Sequence, residues 1–286
     1  MRVIHSPAEM SSWSDDQLAS GLTIGLVPTM GFFHAGHLSL MRTAAGMVDK
    51  VVVSLFVNPI QFGPSEDLEA YPRNFIQDCK LAEHEGVDIL FAPSAGEMYP
   101  DGFQTAVSVG SITKHLCGAS RPGHFDGVAT VLTKLFHVTR AHKAVFGEKD
   151  YQQLAVIRRM VIDLNIDIEI FGHSIVREED GLAMSSRNSY LDESERATAL
   201  CLYTSLSIAR RDAASGILDT GELAVRIREH ILSFPETGID YISFVDRRTL
   251  EPVRKVDENT LLALAVWVNK VRLIDNGLMI ENVAEA

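Results

Sequence analysis

The sequence predicts an α/β fold: a Rossmann-like parallel sheet with helices on both faces, followed by a smaller C-terminal α+β domain. Over the first two-thirds of the 286 residues, short apolar runs alternate with segments of helical periodicity. After about residue 176 the order changes to two helices and then three strand-like runs with short connections. Alternating elements form parallel β-α-β units, whereas consecutive strands form antiparallel sheets. We therefore predict domains at 1–175 and 176–286.

The strands predicted in the first domain are apolar and rich in β-branched residues, as is typical of strands buried on both faces. They are LTIGLV (22–27), KVVVSLFVNP (50–59), VDILFAP (87–93), KAVFG (143–147) and DIEIFG (167–172). Apolar residues spaced three or four apart predict helices between them, in segments 38–48, 74–86, 128–135 and 154–164. The run HSIVR (173–177) also reads as strand-like.

The second domain begins with helical patterns at 202–209 and 223–231. Three strand-like runs follow without an intervening helix: IDYISFVD (239–246), TLLALAVWV (260–268) and VRLIDN (271–276). Two helices and a small antiparallel sheet are the natural arrangement of these elements.

The composition of the chain argues against nucleic acid and membranes as binding partners. The net charge is −12 and no basic cluster is longer than DRR, which argues against a nucleic-acid footprint. The three cysteines are far apart, so we expect no disulfide framework and a reducing cytoplasm. No run has the length and character of a signal peptide or a membrane span, so we expect no membrane partner.

Ligands of open parallel sheets bind at the carboxyl ends of the strands, so the residues after each strand are the candidate site. After LTIGLV, a loop leads to His34 and His37, which lie on one face of a helix start around Gly36. Helix N-termini bind phosphate, and imidazoles donate hydrogen bonds or protons to it. The alternatives are two structural histidines, or a zinc site, although HAGH lacks the Glu of the H-E-x-x-H motif.

Three further clusters follow strand-like runs. Lys149 lies after KAVFG, and an ammonium at this position can neutralise phosphate. Gln153 follows one helical turn later. The alternative interpretation is a solvated Glu–Lys–Asp turn. The loop DGLAMSSRN (180–188) offers hydroxyl donors and the permanent cation of Arg187. Asn58 and Gln61 carry neutral amides that suit a hydroxylated or carboxylated substrate, although a turn asparagine and an exposed glutamine explain them equally well.

The strand, HAGH and MSSR segments resemble the HIGH and KMSKS signatures of the nucleotidyltransferase superfamily. The chain more closely resembles the pantothenate synthetases, the pantoate–β-alanine ligases, over nearly its whole length. The segments that carry this resemblance, in order, are VPTMGFFHAGHLSL, SLFVNPIQFG, YPR, GVDILFAPSAGEMYPDG, RPGHFDGVATVLTKLF, VFGEKDYQQL, VREEDGLAMSSRNSYL and KVRLIDN.

The resemblance implies a homodimeric enzyme that condenses (R)-pantoate with β-alanine at the expense of ATP, with Mg²⁺ accompanying the ATP. It implies a pantoyl-adenylate intermediate and the release of pyrophosphate and AMP. It assigns catalytic roles to His34, His37, Lys149 and Arg187, and contacts to pantoate to Gln61 and Gln153. The residues that it places on ATP are Met30, Gly31, His34, His37, Gly147, Glu148, Lys149, Asp150, Val176, Met184, Ser185, Ser186 and Arg187.

Three expectations complete the resemblance. Asp78, which follows YPR, is placed near Mg²⁺, but the sequence defines no metal ligand set. The Pro- and Gly-containing segment 62–68 is the candidate lid over a water-sensitive intermediate. Phe32, Phe33 and Ala35 stand where the family often has smaller or aliphatic residues and an acid, which affects pocket shape rather than chemistry. Two alternatives stay open: a related nucleotidyltransferase acting on a phosphorylated substrate, and a nucleotide-binding module without catalysis.

Overall fold

The structure, a computed structural model, describes residues 1–64 and 66–280. Ser65, in the candidate lid, and residues 281–286, at the end of the predicted second domain, lie outside the described residues. The chain divides into two compact units. The first comprises Met1–Thr113, Arg121–Glu148 and Gln153–Val176, and the second comprises Lys114–Ser120, Lys149–Gln152 and the chain from Arg177 onward.

The helices in the described residues are α1 (Pro7–Ala19), α2 (Ala35–Ala45), α3 (Phe75–His84), α4 (Ala95–Met98), α5 (Cys117–Ser120), α6 (His124–Thr139), α7 (Tyr151–Asp163), α8 (Glu193–Ala199), α9 (Cys201–Ala214) and α10 (Thr220–Leu232). The strands are β1 (Arg2–Ile4), β2 (Ile24–Thr29), β3 (Lys50–Leu55), β4 (Ile89–Phe91), β5 (Lys143–Gly147), β6 (Glu169–His173), β7 (Thr237–Asp246), β8 (Thr260–Val268) and β9 (Val271–Leu278).

The first unit contains a parallel sheet with the strand order β1-β4-β3-β2-β5-β6 in the described part of the chain. From β2 the chain proceeds to β3 on one side, and from β5 it proceeds to β6 on the other. The direction of winding therefore reverses between β2 and β5. That reversal opens the crevice in which doubly wound sheets bind ligands, beyond the carboxyl ends of the strands.

Helices cover both faces of this sheet. Val27, Val53 and Val145 from neighbouring strands pack in one core with Met41 and Ala44 of α2. On these strands the intervening residues are buried too, and α6 packs against β2 and against α1. Burial on both faces is the reason that the strands read as continuous apolar runs.

The second unit has an antiparallel sheet with the order β7-β8-β9 in the described residues. Helices α9 and α10 pack on it through a core that includes Leu206, Ile227, Leu264 and Leu273. This is the α+β arrangement predicted from the two helical patterns and the three strand-like runs.

Three local features differ from the sequence-based expectation. Strand β1 and helix α1 were not predicted: β1 has three residues, and α1 buries only Met10 and Ser14. The prediction of a strand at HSIVR is wrong beyond His173, where β6 ends; the backbone of Arg177 pairs with Ala183 in an isolated bridge. Lys149 and Asp150, assigned from sequence to the first domain, lie in the second unit.

Candidate active site

The loop that follows β2 is held by a carboxylate from α3. Asp78 is 2% exposed, and its two oxygens accept hydrogen bonds from the backbone N–H groups of Phe32 (2.8 Å) and Phe33 (2.7 Å). Burial raises the pKa of Asp78, and the two N–H donors oppose that rise. Both oxygens therefore have backbone partners. This geometry favours a role in fixing the loop over the expected position beside Mg²⁺.

The same loop has an unusual backbone. Gly31 has φ +84°, and a Cβ there would lie 3.1 Å from Asp78 Oδ2 and 3.1 Å from Leu55. Phe32 has φ +54°, a left-handed conformation that is unfavourable by about 1–2 kcal/mol for a residue with a side chain. Strain of this kind persists only where the surroundings hold it, and here the Asp78 carboxylate does so.

His34 and His37 form a reciprocal cap at the start of α2. His34 Nδ1 accepts from the N–H of Gly36 at 3.2 Å, and His37 Nδ1 accepts from the N–H of His34 at 3.3 Å. The two rings lie 4.1 Å apart between centroids. Because Nδ1 accepts in both rings, we assign the proton of each neutral imidazole to Nε2. In this tautomer each ring carries its hydrogen on Nε2, at a helix N-terminus, which is a favourable environment for phosphate.

A chain of side-chain hydrogen bonds joins the loops after β3 and β4 to Met30. Tyr99 Oη donates to Asn58 Oδ1 (2.7 Å), Asn58 Nδ2 donates to Gln61 Oε1 (3.0 Å), and Gln61 Nε2 approaches Met30 Sδ at 3.3 Å. The Tyr99 hydroxyl fixes which end of the Asn58 amide is the acceptor, and this in turn fixes Gln61. Gln61 is thereby oriented with its N–H donors on the Met30 side, as an anionic substrate group requires.

The turn that carries Gln61 rests against α6. Asn58 Nδ2 also donates to the carbonyl of Gly127 at 3.1 Å, and His124 Nδ1 lies 2.9 Å from the carbonyl of Gln61. A Cβ on Gly127 would lie 2.6 Å from Gln61 Cα, so only glycine allows this approach. In the candidate lid, Glu66 forms a two-bond ion pair with Arg121 at 2.6 and 2.5 Å.

The remaining predicted residues of the first unit lie at the end of β5 or after β5 and β6. Gly147 is the last residue of β5, and Glu148 begins the short 3₁₀ helix Glu148–Asp150. Gln153 lies in the first turn of α7, and Val176 lies three residues beyond the end of β6. Within this unit, hydrogen bonds join Gln61 to both Met30 and Asn58, and a ring contact joins His34 to His37.

The second unit contains the other predicted phosphate contacts. The Lys149 side chain is 20% exposed, and its Nζ lies 3.8 Å from the Asp150 carboxylate. Ser185 caps the 3₁₀ helix Ser186–Tyr190 by accepting from the N–H of Arg187 at 3.3 Å. Ser186 is buried. The loop from Met184 to Arg187 thus has a defined conformation in which the Ser185 hydroxyl serves as a cap.

Sequence patterns missed Tyr99, the clamp role of Asp78, and the packing of Gly127 against Gln61. A signal existed for Tyr99, since it lies in the expected region after a strand. The bonds themselves join residues 41 and 46 positions apart, which no local pattern shows.

Together, the reversal in sheet order and the polar loops beyond β2, β3 and β4 define an α/β protein with a ligand site at the carboxyl edge of its parallel sheet. The family model described as "Pantoate-beta-alanine ligase" matches residues 2–278. The chain belongs to the pantoate–β-alanine ligase family.

Curated relatives match over nearly their full length. The pantothenate synthetase of Syntrophus aciditrophicus is 53% identical over 276 residues, covering 96% of each chain. That of Geobacter sulfurreducens is 54% identical over 276 residues, covering 96% of this chain and 98% of its own.

Solved structures agree with these sequence matches. A pantothenate synthetase from Thermus thermophilus has a TM-score of 0.92 at 43% identity, covering 98% of this chain and all of its own. A pantoate–β-alanine ligase from Francisella tularensis, complexed with β,γ-ATP and β-alanine, has a TM-score of 0.81 at 35% identity and covers 98% of each chain. No helix in the described residues is long and apolar enough to cross a membrane.

Proposed function

We propose that this protein joins (R)-pantoate to β-alanine with ATP, through a pantoyl-adenylate intermediate, and releases pyrophosphate and AMP. Family membership over residues 2–278 and the ATP- and β-alanine-bound relative support the reaction. The single observation of geometry that carries it is the capped pair His34–His37 beyond β2, whose Nδ1 atoms accept from the backbone.

In the first step the pantoate carboxylate attacks the α-phosphorus of ATP, and pyrophosphate leaves. Negative charge grows on the phosphate oxygens, so fixed donors there lower the barrier. We assign this role to the Nε2–H groups of His34 and His37, to the Lys149 ammonium and to the Arg187 guanidinium. His37 is also the proposed proton donor. No covalent enzyme intermediate is required, since the substrate's own carboxylate is the nucleophile.

The neutral amides bind pantoate. Gln61, held through Asn58 by Tyr99, offers N–H donors to the carboxylate or hydroxyls, and we assign Gln153 to the same substrate. In the second step the β-alanine amine attacks the acyl carbon and AMP leaves. Neutral amides at the assigned substrate positions also favour this reaction over that of a nucleotidyltransferase with a phosphorylated co-substrate, which needs further cations.

The remaining ATP contacts are assigned to Met30, Gly31, Gly147, Glu148, Asp150, Val176, Met184, Ser185 and Ser186. Among the described residues, no three His, Cys, Asp or Glu side chains are placed to hold a metal ion. We propose that Mg²⁺ enters on the phosphates of ATP, as is usual for this cation. We further propose that segment 62–68 acts as a lid, that the C-terminal domain closes over the ATP site, and that the protein is a cytoplasmic homodimer.

The decisive experiment is ATP–pyrophosphate exchange with pantoate and without β-alanine. Label should enter ATP only when pantoate is present, and β-alanine should then yield pantothenate and AMP. Exchange with a mononucleotide in place of pantoate would support the related nucleotidyltransferase. ATP binding without exchange for any acceptor would support the non-catalytic module.

Alanine variants test the proposed phosphate contacts. His34→Ala, His37→Ala and Lys149→Ala should each lower turnover by about 100-fold or more, the scale for losing one preorganised donor. His84→Ala, at the exposed end of α3, is the matched control and should retain wild-type turnover. Near-normal turnover in all three variants would refute the assignment.

The pantoate contact is tested separately. Gln153→Ala should raise the KM for pantoate more than the KM for ATP, because its amide is assigned to the acid substrate. An equal rise in both constants would contradict that assignment.

A further inference from the structure

The segment VRLIDN, which the proposed chemistry does not use, places two buried polar residues side by side in β9. Asp275 is 3% exposed and Asn276 is 6% exposed. Successive side chains of a strand point to opposite faces of the sheet, so burying both residues requires polar partners on each face. The partner of Asn276 is the backbone of Lys149, and the partner of Asp275 is the side chain of Arg177, which precedes the Met184–Arg187 loop.

Asn276 holds the Lys149 segment. Its Nδ2 donates to the backbone carbonyl of Lys149 at 2.8 Å. Three residues further along, Gln152 Nε2 donates to the carbonyl of His115 at 2.7 Å. The short segment Lys149–Gln152 is thus attached at both ends within the second unit. A lysine side chain is flexible, so the position of its backbone decides which point its ammonium reaches.

Asp275 holds the other segment through Arg177. Arg177 donates two hydrogen bonds to the Asp275 carboxylate, at 2.7 and 3.0 Å, and the Asn276 N–H donates a third at 2.8 Å. The guanidinium carbon lies 4.8 Å from the centre of the Tyr203 ring. The Arg177 guanidinium is thus fixed both by two bonds to one carboxylate and by stacking on a ring. A lysine or a neutral residue at position 177 could not reproduce this geometry.

Arg177 also contacts the loop that carries Met184–Arg187. It donates to the carbonyl of Gly181 at 3.0 Å, and its backbone pairs with Ala183. Gly181 has φ +95°, and a Cβ there would lie 2.2 Å from the Tyr203 ring. The turn at Gly181 therefore packs directly against Tyr203, the same ring that stacks on Arg177. The residue after Ala183 is Met184.

We propose that Asp275 and Asn276 are positioning residues for adenylation, which set Lys149 and the Met184–Arg187 loop at a fixed separation. They touch no reacting atom themselves. Asp275 and Asn276 are neighbours in β9. Their bonds to Arg177 and to the Lys149 carbonyl therefore tie the two segments to one strand. Charge stabilisation requires cations at defined places, and a misplacement of about 1 Å reduces rates by up to about 100-fold. This inference rests on the proposed function.

The test uses pantoate-dependent ATP–pyrophosphate exchange in the full-length protein. Asn276→Ala, and Asn276→Asp, which keeps the shape but removes the donor, should lower kcat/KM for ATP by about 10- to 100-fold. The KM for pantoate should stay within about twofold, a split that general loss of structure does not produce. Asn259→Ala, the same substitution in the β7–β8 connection of this sheet, should behave as wild type.

A double substitution tests whether Asn276 acts through Lys149. If it does, adding Asn276→Ala to Lys149→Ala should change exchange by less than about twofold, since the group being positioned is already gone. Losses that multiply would overturn this route. For Asp275, the variant is Arg177→Lys, which keeps the charge but not the bidentate, stacked geometry, and exchange should fall about tenfold.

The outcomes separate the two proposals. If the wild-type protein shows no pantoate-dependent exchange, the proposed function fails. If wild-type protein exchanges, and Asn276→Ala, Asn276→Asp and Arg177→Lys are folded by circular dichroism and exchange equally well, the positioning role is wrong and the proposed function stands.

Discussion

The substitution Asp78→Asn tests whether the buried Asp78 carboxylate of α3 holds the loop that follows β2. The side chain keeps its size, but an amide has one acceptor oxygen where the carboxylate has two. The N–H of Phe32 or Phe33 must therefore face the new NH₂ group, donor against donor. Asp78 lies in the first turn of α3, where the helix dipole also favours the charged form.

The expected loss of stability is modest. A hydrogen bond to a charged group contributes about 1.5–3 kcal/mol, and one of two is lost. The substitution also removes a buried charge, which offsets part of this loss of stability. The raised pKa of Asp78 indicates that burial disfavours that charge. We expect a net destabilisation of about 1–2 kcal/mol at neutral pH. The functional loss should be larger: without the clamp, Phe32 relaxes from φ +54° and His34 moves with it. We expect kcat/KM for ATP to fall at least about tenfold.

The assay combines urea unfolding with the kinetics of pantoate-dependent exchange. Asp88→Asn is the matched control, because the Asp88 carboxylate also accepts two bonds, from the Val51 N–H at 2.8 Å and from Lys50 Nζ at 2.9 Å. It lies at the amino end of β3, away from the carboxyl edge of the sheet. It should lower stability and leave the ATP kinetics unchanged. A folded Asp78→Asn variant with wild-type ATP kinetics would refute the clamp.

The pH dependence of stability gives an independent check. A carboxyl whose folded pKa is raised stabilises the protein fully below the unfolded pKa, and this contribution is lost as the pH rises through the folded pKa. Wild-type stability should therefore decline across that interval through Asp78. The Asp78→Asn variant should show a flatter profile in urea midpoints measured at successive pH values. An unchanged profile would mean that Asp78 does not titrate with a raised pKa.

Three other predictions concern the first unit's amide chain and the second unit's core. Tyr99→Phe removes the donor to Asn58 and should raise the KM for pantoate severalfold with the KM for ATP unchanged; steady-state kinetics decides. Gly127→Ala should displace Gln61, raise the same constant and cost about 1–3 kcal/mol in urea unfolding. Burial raises the pKa of Cys201 to about 12, so this thiol should react with Ellman's reagent at pH 8 only after unfolding.

The parallel sheet could be predicted because each of its inner strands is buried on both faces. Strand β5 has the predicted bounds, 143–147, since a lysine begins it and a glycine ends it. Helix α1 could not be predicted in this way, because its buried positions include Ser14 and supply little apolar periodicity. Strand β1 is too short for a pattern, and it exists because it pairs with β4, some ninety residues away.

Part of the candidate site follows from the rule that ligands bind beyond strand ends. That rule selected His34, His37, Asn58 and Gln61, and the structure places all four in loops or helix starts after β2 and β3. Their orientation lay beyond the sequence. Which imidazole nitrogen carries the proton depends on backbone amides within the cap, and which end of Gln61 donates depends on a tyrosine after another strand.

The incorrect strand at HSIVR shows most directly where local patterns stop. Apolar residues before Arg177 suggested a strand, but β6 ends at His173, and the Arg177 side chain pairs with Asp275, 98 positions away. The sequence signal for this contact lies at its other end, where Asp275 and Asn276 stand together inside an apolar strand of a small sheet. A buried charge is retained only with a partner, so an acid at position 275 of a core strand by itself implies a distant cation. Asn276, bonded across 127 positions, extends the same reasoning to Lys149. Adjacent polar residues within a predicted core strand are therefore a signal for long-range positioning contacts, and the exchange kinetics of the Asn276 variants test it here.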